Sequence, residues 1–225
     1  MLEKEAIEKG IDIEGLRAEQ RKLAKLISCK DIINFKNATR FAAIETAVIP
    51  ERREIVAAIA VLDENMNIVE EKFATDKISF PYIPGFRAYR ELPVMKKVFS
   101  KLEENPDVIF VYGHGVSHPS GLGIASHFGL SVDKPTIGIA NNLIYGEEKD
   151  SDVFHGKKII ARKIVTHPGC RAIYVSTGHL ISLKTAVEIL KRCLKEPHKL
   201  PEPMVKCRRY LDKICRELRK GSILV

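Results

Sequence analysis

DVIFVYGHGVSHPSGLGIASHFGLSVDKPTIGIANNLIYG, residues 107–146, is the stretch whose reading decides the fold. It opens on the apolar run Val108-Ile109-Phe110-Val111-Tyr112, whose β-branched and aromatic content suits a strand covered on both faces. Glycine then breaks the run. Gly113 and Gly115 flank His114, while Gly121, Gly123 and Gly129 bracket a short helix of small residues, Ile124 to Phe128. Pro135 leads into a second apolar strand, Thr136 to Ala140. Strand, glycine loop, helix and strand in that order make a parallel crossover, and such sheets hold ligands outside the carboxyl ends of their strands. Tyr112 to His118 and Asn141 to Tyr145 fall at those ends.

Composition bounds what surrounds this unit. The chain has 225 residues, 45% of them hydrophobic, enough for a sizeable core in one α/β domain with appended helices. A formal net charge of +8 suits a polyanionic partner, although a moderately basic balance is also common in proteins that bind no nucleic acid. The five cysteines, at 29, 170, 193, 207 and 215, are odd in number and form no Cys-x-x-Cys pair, which points to free thiols in a reducing compartment. No apolar run approaches the ~20 residues that span a bilayer. The opening MLEKEAIEKG is acidic and mixed, unlike a secretion signal. A cytoplasmic protein with no membrane segment is expected.

In chain order, Ile13 to Ser28 reads as an amphipathic helix on the outside of the sheet, with Leu16, Leu23, Leu26 and Ile27 on one stripe. Phe41 to Val48 is a strand that carries Glu45 into an apolar setting, where a lone carboxylate is costly unless paired or bound to a cation. Ile55 to Leu62 and Asn67 to Phe73 follow around the Asp63-Glu64-Asn65 turn and complete an antiparallel meander. Phe80 to Glu91 is a joining loop that leads into a helix over Leu92 to Leu102. Within it, Pro81 and Pro84 frame Tyr82 and Ile83 and fix the direction of the ring, which suits packing beneath the turn or stacking on a base. Glu147 to Val153 reads as a charged loop, and Lys157 to Val165 and Ala172 to Ser176 as strands. Thr177-Gly178-His179 then leads into a helix capped by Ser182 or Thr185. The tail helix, Met204 to Arg219, is basic: a solvated face in the plain reading, a phosphate contact in the sharper one.

A meander, a crossover helix and parallel strands with carboxylates near the centre resemble the ribonuclease H-like arrangement, an α/β mixed sheet flanked by helices. Five segments narrow the resemblance: PYIPGFRAYRE (81–91), GHGVSHPSGLGIASHFGL (113–130), PTIGIAN (135–141), YVSTGHLIS (174–182) and LPEP (200–203). In this order and spacing they resemble the endonuclease V family over nearly the whole chain. The resemblance implies an enzyme that recognises deaminated bases, above all hypoxanthine (the base of inosine), in DNA or RNA. With magnesium, such an enzyme cuts the strand one nucleotide further to the 3′ side. It also implies that Tyr82, in its Pro81-Tyr82-Ile83-Pro84 frame, is the strand-separating wedge. Gly85, Gly113, His114, Gly115, His118, Gly121 and Gly138 then belong to the base pocket, where glycines let the main chain approach a flipped base.

At the chemical centre this sequence departs from the family. Glu91 matches the family's FRE glutamate, but Glu45 stands where the first strand carries an aspartate. Tyr112 replaces a second metal-binding aspartate, Asn141 replaces a lysine, and Arg208 falls where many members offer a histidine. The family's HPRxxG becomes His118-Pro119-Ser120-Gly121, without the arginine. Magnesium demands near-ideal octahedral oxygen ligation, and a neutral phenol brings no charge to it. The expected cofactor is Mg2+ or Mn2+ on Glu45 and Glu91, held weakly or not at all, with Glu45, Glu91 and Tyr112 meeting in one cleft. Two functions follow: an inosine-recognising endonuclease with impaired cleavage, or a catalytically inactive descendant that binds nucleic acid or a protein.

Overall fold

In the computed structural model, residues 3–222 are described, so Met1 and Leu2 of the opening stretch and residues 223–225 lie outside them. Two helices come first, α1 (Glu3–Glu8) and α2 (Ile13–Ala24), followed by a meander of β1 (Phe41–Ile49), β2 (Glu54–Leu62) and β3 (Ile68–Lys77). Helix α3 (Arg87–Phe99) crosses to β4 (Val108–Tyr112), and α4 (Ile124–Val132) crosses to β5 (Thr136–Ala140). Then come β6 (Glu147–Lys149), β7 (Asp152–His155), β8 (Lys158–Ile164), β9 (Ile173–His179), α5 (Leu183–Arg192) and α6 (Glu202–Lys220). The strands form one sheet in the order β3-β2-β1-β4-β5-β9-β8-β7-β6, parallel at β1·β4·β5 and antiparallel elsewhere. A mixed sheet of this order, flanked by helices, is the expected ribonuclease H-like fold.

Both faces of the sheet are covered, which is why β2 is buried along its whole length. Successive strand side chains point to opposite faces. Along β1, Ala43 and Ile49 therefore join Cys207, Leu211, Cys215 and Leu218 of α6, while Ala42 and Ile44 join Val94, Met95 and Val98 of α3 and Phe128 of α4. The same alternation sends Glu45 toward α6 and Thr46 toward α3. Helix α6 is thus amphipathic: its basic residues occupy the outer face, and its inner face is part of the core.

Several expected boundaries differ, each for a local reason. Helix α3 starts at Arg87 rather than Leu92, so Glu91 is a helical residue and not the end of a loop. Pro93 lies inside the helix and forgoes one backbone bond, although proline more often marks a helix start. The charged segment Glu147 to Val153 is the β6–β7 hairpin. Its charges pair across strands, with Lys163 Nζ 2.5 Å from Glu148 Oε1 and Arg162 Nε 2.7 Å from Asp152 Oδ1. Thr177 to His179 extend β9, α4 continues to Val132, and β9 runs antiparallel to β5, so the parallel region ends at β5. Helix α2 stops at Ala24 and does not lie on the sheet. Ile13 and Leu16 pack it against Ile83 and Phe86 of the proline-framed loop, and Leu26 is exposed. Ser182 is the residue that caps α5, accepting from Thr185 N.

If α6 is a core helix, Leu211→Ala should lower the unfolding free energy by about 2–5 kcal/mol, while Lys213→Ala on its outer face should change it by less than about 0.5 kcal/mol. Urea denaturation followed by circular dichroism measures both.

Candidate active site and nucleic-acid interface

The glycine loop after β4 is tied down by main-chain bonds to β5 and β9. Gly113 N donates to Ile139 O (2.8 Å), Val116 N to Thr177 O (2.8 Å) and Gly115 N to Ser176 Oγ (2.9 Å). The approach is too close for a side chain. A Cβ on Gly115 would fall 1.9 Å from Thr177 O, and one on Gly138 would fall 2.6 Å from Gly115 N. Gly121 N closes the following turn onto His118 O (2.7 Å). Behind this loop lies a cavity of about 210 Å³ lined by Tyr82, Gly85, Arg87, Gly113, His114, His118 and Ile144, among others. That volume is below the ~300 Å³ of small drug-sized sites and suits a single planar ring system. Burial, reinforced by Arg87 for His114 and by His114 for His118, lowers both imidazoles to about 4, so both are neutral at physiological pH. Ser120 N donates to Nδ1 of His118 (3.3 Å), which leaves Nε2 to carry the proton.

The proline-framed loop presents its aromatic ring outward. Ile83 is fully buried among Ala6, Ile13 and Phe86, and Gln20 Nε2 donates to Gly85 O (2.9 Å) from α2. Tyr82 is 49% exposed, with the Arg90 guanidinium 4.9 Å from its ring centroid. Ile83, not Tyr82, is the residue packed beneath the turn. Pro81 and Pro84 lie on either side, and Gly85 takes a left-handed φ of 84° to let the chain enter α3.

The four positions singled out for chemistry form one network at the end of β4. Glu45, only 2% exposed, faces α6, where Arg208 Nη2 stands 2.5 Å from its Oε2. This is a charge contact without hydrogen-bond angles, and neither Glu45 oxygen has a hydrogen-bond partner among the described residues. Glu91 enters from the α3 face and is saturated by Thr46 Oγ1 (2.6 Å), Arg87 Nε (2.8 Å) and Arg90 Nη2 (3.2 Å). Arg87 also donates through Nη1 to Tyr112 O (3.0 Å), joining the two sides. The Tyr112 ring lies 5.8 Å from the Arg208 guanidinium, and its hydroxyl accepts from Asn141 Nδ2 at 2.6 Å. Lys199 Nζ donates to Asn141 Oδ1 at 2.9 Å.

This donor set does not fit a hard divalent cation. The two carboxylates come from opposite faces of β1, and each already meets one or more guanidinium groups. The third corner is a neutral phenol. Among the described residues no group of three or more His, Cys, Asp or Glu could hold a metal ion. The positive groups at the site can instead attract an anion, and the cavity beside them can take a ring. Arg87, Arg90, Lys199, Gln20 and Ile144 were missed in the sequence reading. Only Ile144 left a signal there, as an apolar residue just past the end of β5.

A family model described as Endonuclease V matches residues 21–208 of this chain. An Endonuclease V from Protochlamydia amoebophila is 37% identical over 202 residues, 85% of this chain and 85% of that protein. The crystal structure of an Endonuclease V from Streptomyces avermitilis is similar at a TM-score of 0.81 and 30% identity, over 93% of this chain and 94% of that one. Ciona intestinalis Endonuclease V, solved with a 24mer DNA containing an inosine followed by a ribo-adenosine, shares the fold at a TM-score of 0.84 and 24% identity, over 92% and 98% of the two chains.

The electrostatics of Glu45 have a measurable consequence. Burial raises its carboxyl to about 7, with Asp212 adding to the rise and Arg208 and Arg87 opposing it. Glu91 goes the other way: burial alone would raise it, but Arg87, Thr46 and Arg90 outweigh that and hold it below the ordinary value. A raised folded-state value contributes stability that is complete below the unfolded-state value and is lost as pH climbs through about 7. The lowered histidines contribute in the opposite sense, losing stability as pH falls from 6.5 toward about 4. That contribution is common to wild type and a Glu45 variant, so it cancels in their difference. The stability of Glu45→Gln relative to wild type should therefore rise between pH 5 and pH 8 by up to roughly 3 kcal/mol, at ~1.4 kcal/mol per pKa unit. Denaturation at the two pH values tests it, and a pH-independent difference would contradict it.

Proposed function

Because this chain belongs to the endonuclease V family, we propose that it recognises a deaminated base, inosine above all, in DNA or RNA, and that its metal-dependent strand cleavage is impaired. The protein acts as a single domain in the cytoplasm. The observation that carries this reading is the guanidinium contact on each carboxylate, Arg208 on Glu45 and Arg87 with Arg90 on Glu91. Cationic side chains take up the charge that a metal ion would otherwise neutralise. Recognition, by contrast, rests on main chain and small residues. In this reading the base enters the cavity between Tyr82 and Ile144, its polar edge meets loop amides and the Nε2–H of His118, and the Tyr82 ring fills the gap left in the stack. Tyr82 is supported for that role by the buried anchor Ile83 and by Gln20 on Gly85 O.

The impaired-cleavage reading predicts that wild type leaves an inosine oligonucleotide uncut, or cut only slowly, in magnesium. Manganese, which tolerates softer and less regular ligation, should reveal any residual activity first. Glu45→Asp combined with Tyr112→Asp and Asn141→Lys should gain cleavage, assayed on DNA and RNA substrates by gel. Rapid magnesium-dependent cleavage by wild type, abolished in Glu91→Ala, would overturn the reading.

The recognition half is tested separately. Tyr82→Ala should weaken binding to the inosine strand by ~1–3 kcal/mol, the worth of one base stack. Equal wild-type affinity for inosine and adenosine strands would remove lesion recognition altogether.

A further inference from the structure

Lys199 lies in the segment between α5 and α6, nine residues before Arg208 and far in sequence from the rest of the site. The segment is pinned at both ends. Glu202 N donates to Cys193 O (2.8 Å), His198 N donates to Lys195 O (2.9 Å), and the His198 ring is held between Glu202 and Arg209. This directs the Lys199 ammonium onto Asn141 Oδ1. Its partner there is a neutral amide. Among the described residues no ion pair joins Lys199 to a carboxylate, so a cation stands at the site without a counter-ion.

The neighbouring polar groups are oriented as donors. Asn141 accepts from Lys199 and donates to the Tyr112 hydroxyl, which fixes the amide and leaves the phenol its own proton to give. Arg208 stands beside the Tyr112 ring with its side chain 45% exposed. An ammonium, a phenol O–H and a guanidinium around one edge make a set of donors for a tetrahedral anion. The resemblance places a lysine at position 141, where this chain has Asn141. Lys199 brings an ammonium to the same place from a different element.

Resting on the reading that the protein binds a nucleic-acid strand, we propose that Lys199, Tyr112 and Arg208 form a metal-independent seat for a phosphodiester of that strand. A phosphate there takes charge-assisted bonds from Lys199 and Arg208 and is contacted whatever the base beside it. The contact therefore contributes affinity and salt dependence but no preference for inosine.

The experiment is equilibrium binding of fluorescent inosine and adenosine oligonucleotides, in EDTA, across a salt series. Lys199→Gln should weaken binding to both strands about tenfold and reduce the slope of log K against log salt by about one. Lys199→Arg should keep the slope, and Asn141→Lys added to Lys199→Gln should restore it. Circular dichroism on each variant confirms the fold, and because the double variant carries the Lys199→Gln change and yet regains the slope, misfolding cannot imitate this pattern. An unchanged slope in Lys199→Gln, or wild-type binding that needs added magnesium, would overturn the proposal. Inorganic phosphate at matched ionic strength should not displace the strand. Displacement that Lys199→Gln abolishes would assign the seat to free phosphate and overturn the phosphodiester assignment. Failure of base recognition shows differently, as equal affinity for the two wild-type complexes with the salt effect of Lys199→Gln intact.

Discussion

A buried carboxylate in the middle of β1 is the constraint on which this site depends. Glu45 is almost completely withdrawn from water, and transferring an ionised carboxylate into a protein interior costs several kcal/mol unless a proton or a cation compensates. The cation comes from α6, the helix whose apolar face closes that side of the sheet. Cys207, fully buried, donates its Sγ to Ala58 O at 3.2 Å, and Leu211 packs one turn further on. Those two residues fix the rotation of α6. Arg208, next to Cys207, consequently emerges at the margin of the sheet with its guanidinium on Glu45 and beside Tyr112. The packing of one helix thus sets the electrostatics of the site.

The kept and the altered parts of the site differ in what they are made of. The glycine loop behind the cavity is held by main-chain bonds to β5 and β9, and Gly115 and Gly138 are required by contacts under 3 Å that no side chain could tolerate. Such a cavity depends on the fold and little on the chemistry of its surroundings. The chemical centre depends instead on side-chain charge. Replacing a carboxylate by the phenol of Tyr112 removes negative charge at the mouth of β4, and the arginines then have fewer acids to share. Each guanidinium settles on one that remains. The shape of the cavity and the charge of the carboxylate site are therefore set separately in this chain.

Much of the scaffold was legible from runs of apolar residues. β1, β2, β4 and β5 are covered on both faces, and their sequences are accordingly continuous in Val, Ile, Ala and Phe. The hairpin of β6 and β7 was not, because short edge strands with exposed charges carry no apolar alternation. Glu91 was placed at the end of a joining loop, whereas α3 begins at Arg87 and carries Pro93 inside it. The opposite facing of Glu45 and the residues that meet Glu91 was implicit in the period-two alternation of Glu45 and Thr46. The contact of Lys199 with Asn141 joins residues 58 apart along the chain, through a loop whose course no local pattern sets.

The first turns of α3 link the Tyr82 ring, the cavity and the carboxylate physically. Arg90 lies over the Tyr82 ring and also bonds Glu91, while Arg87 lines the base cavity and bonds both Glu91 and Tyr112 O. Because Arg90 meets the Tyr82 ring and Glu91 at once, the position of the ring and the electrostatics of the carboxylate are coupled through a single side chain.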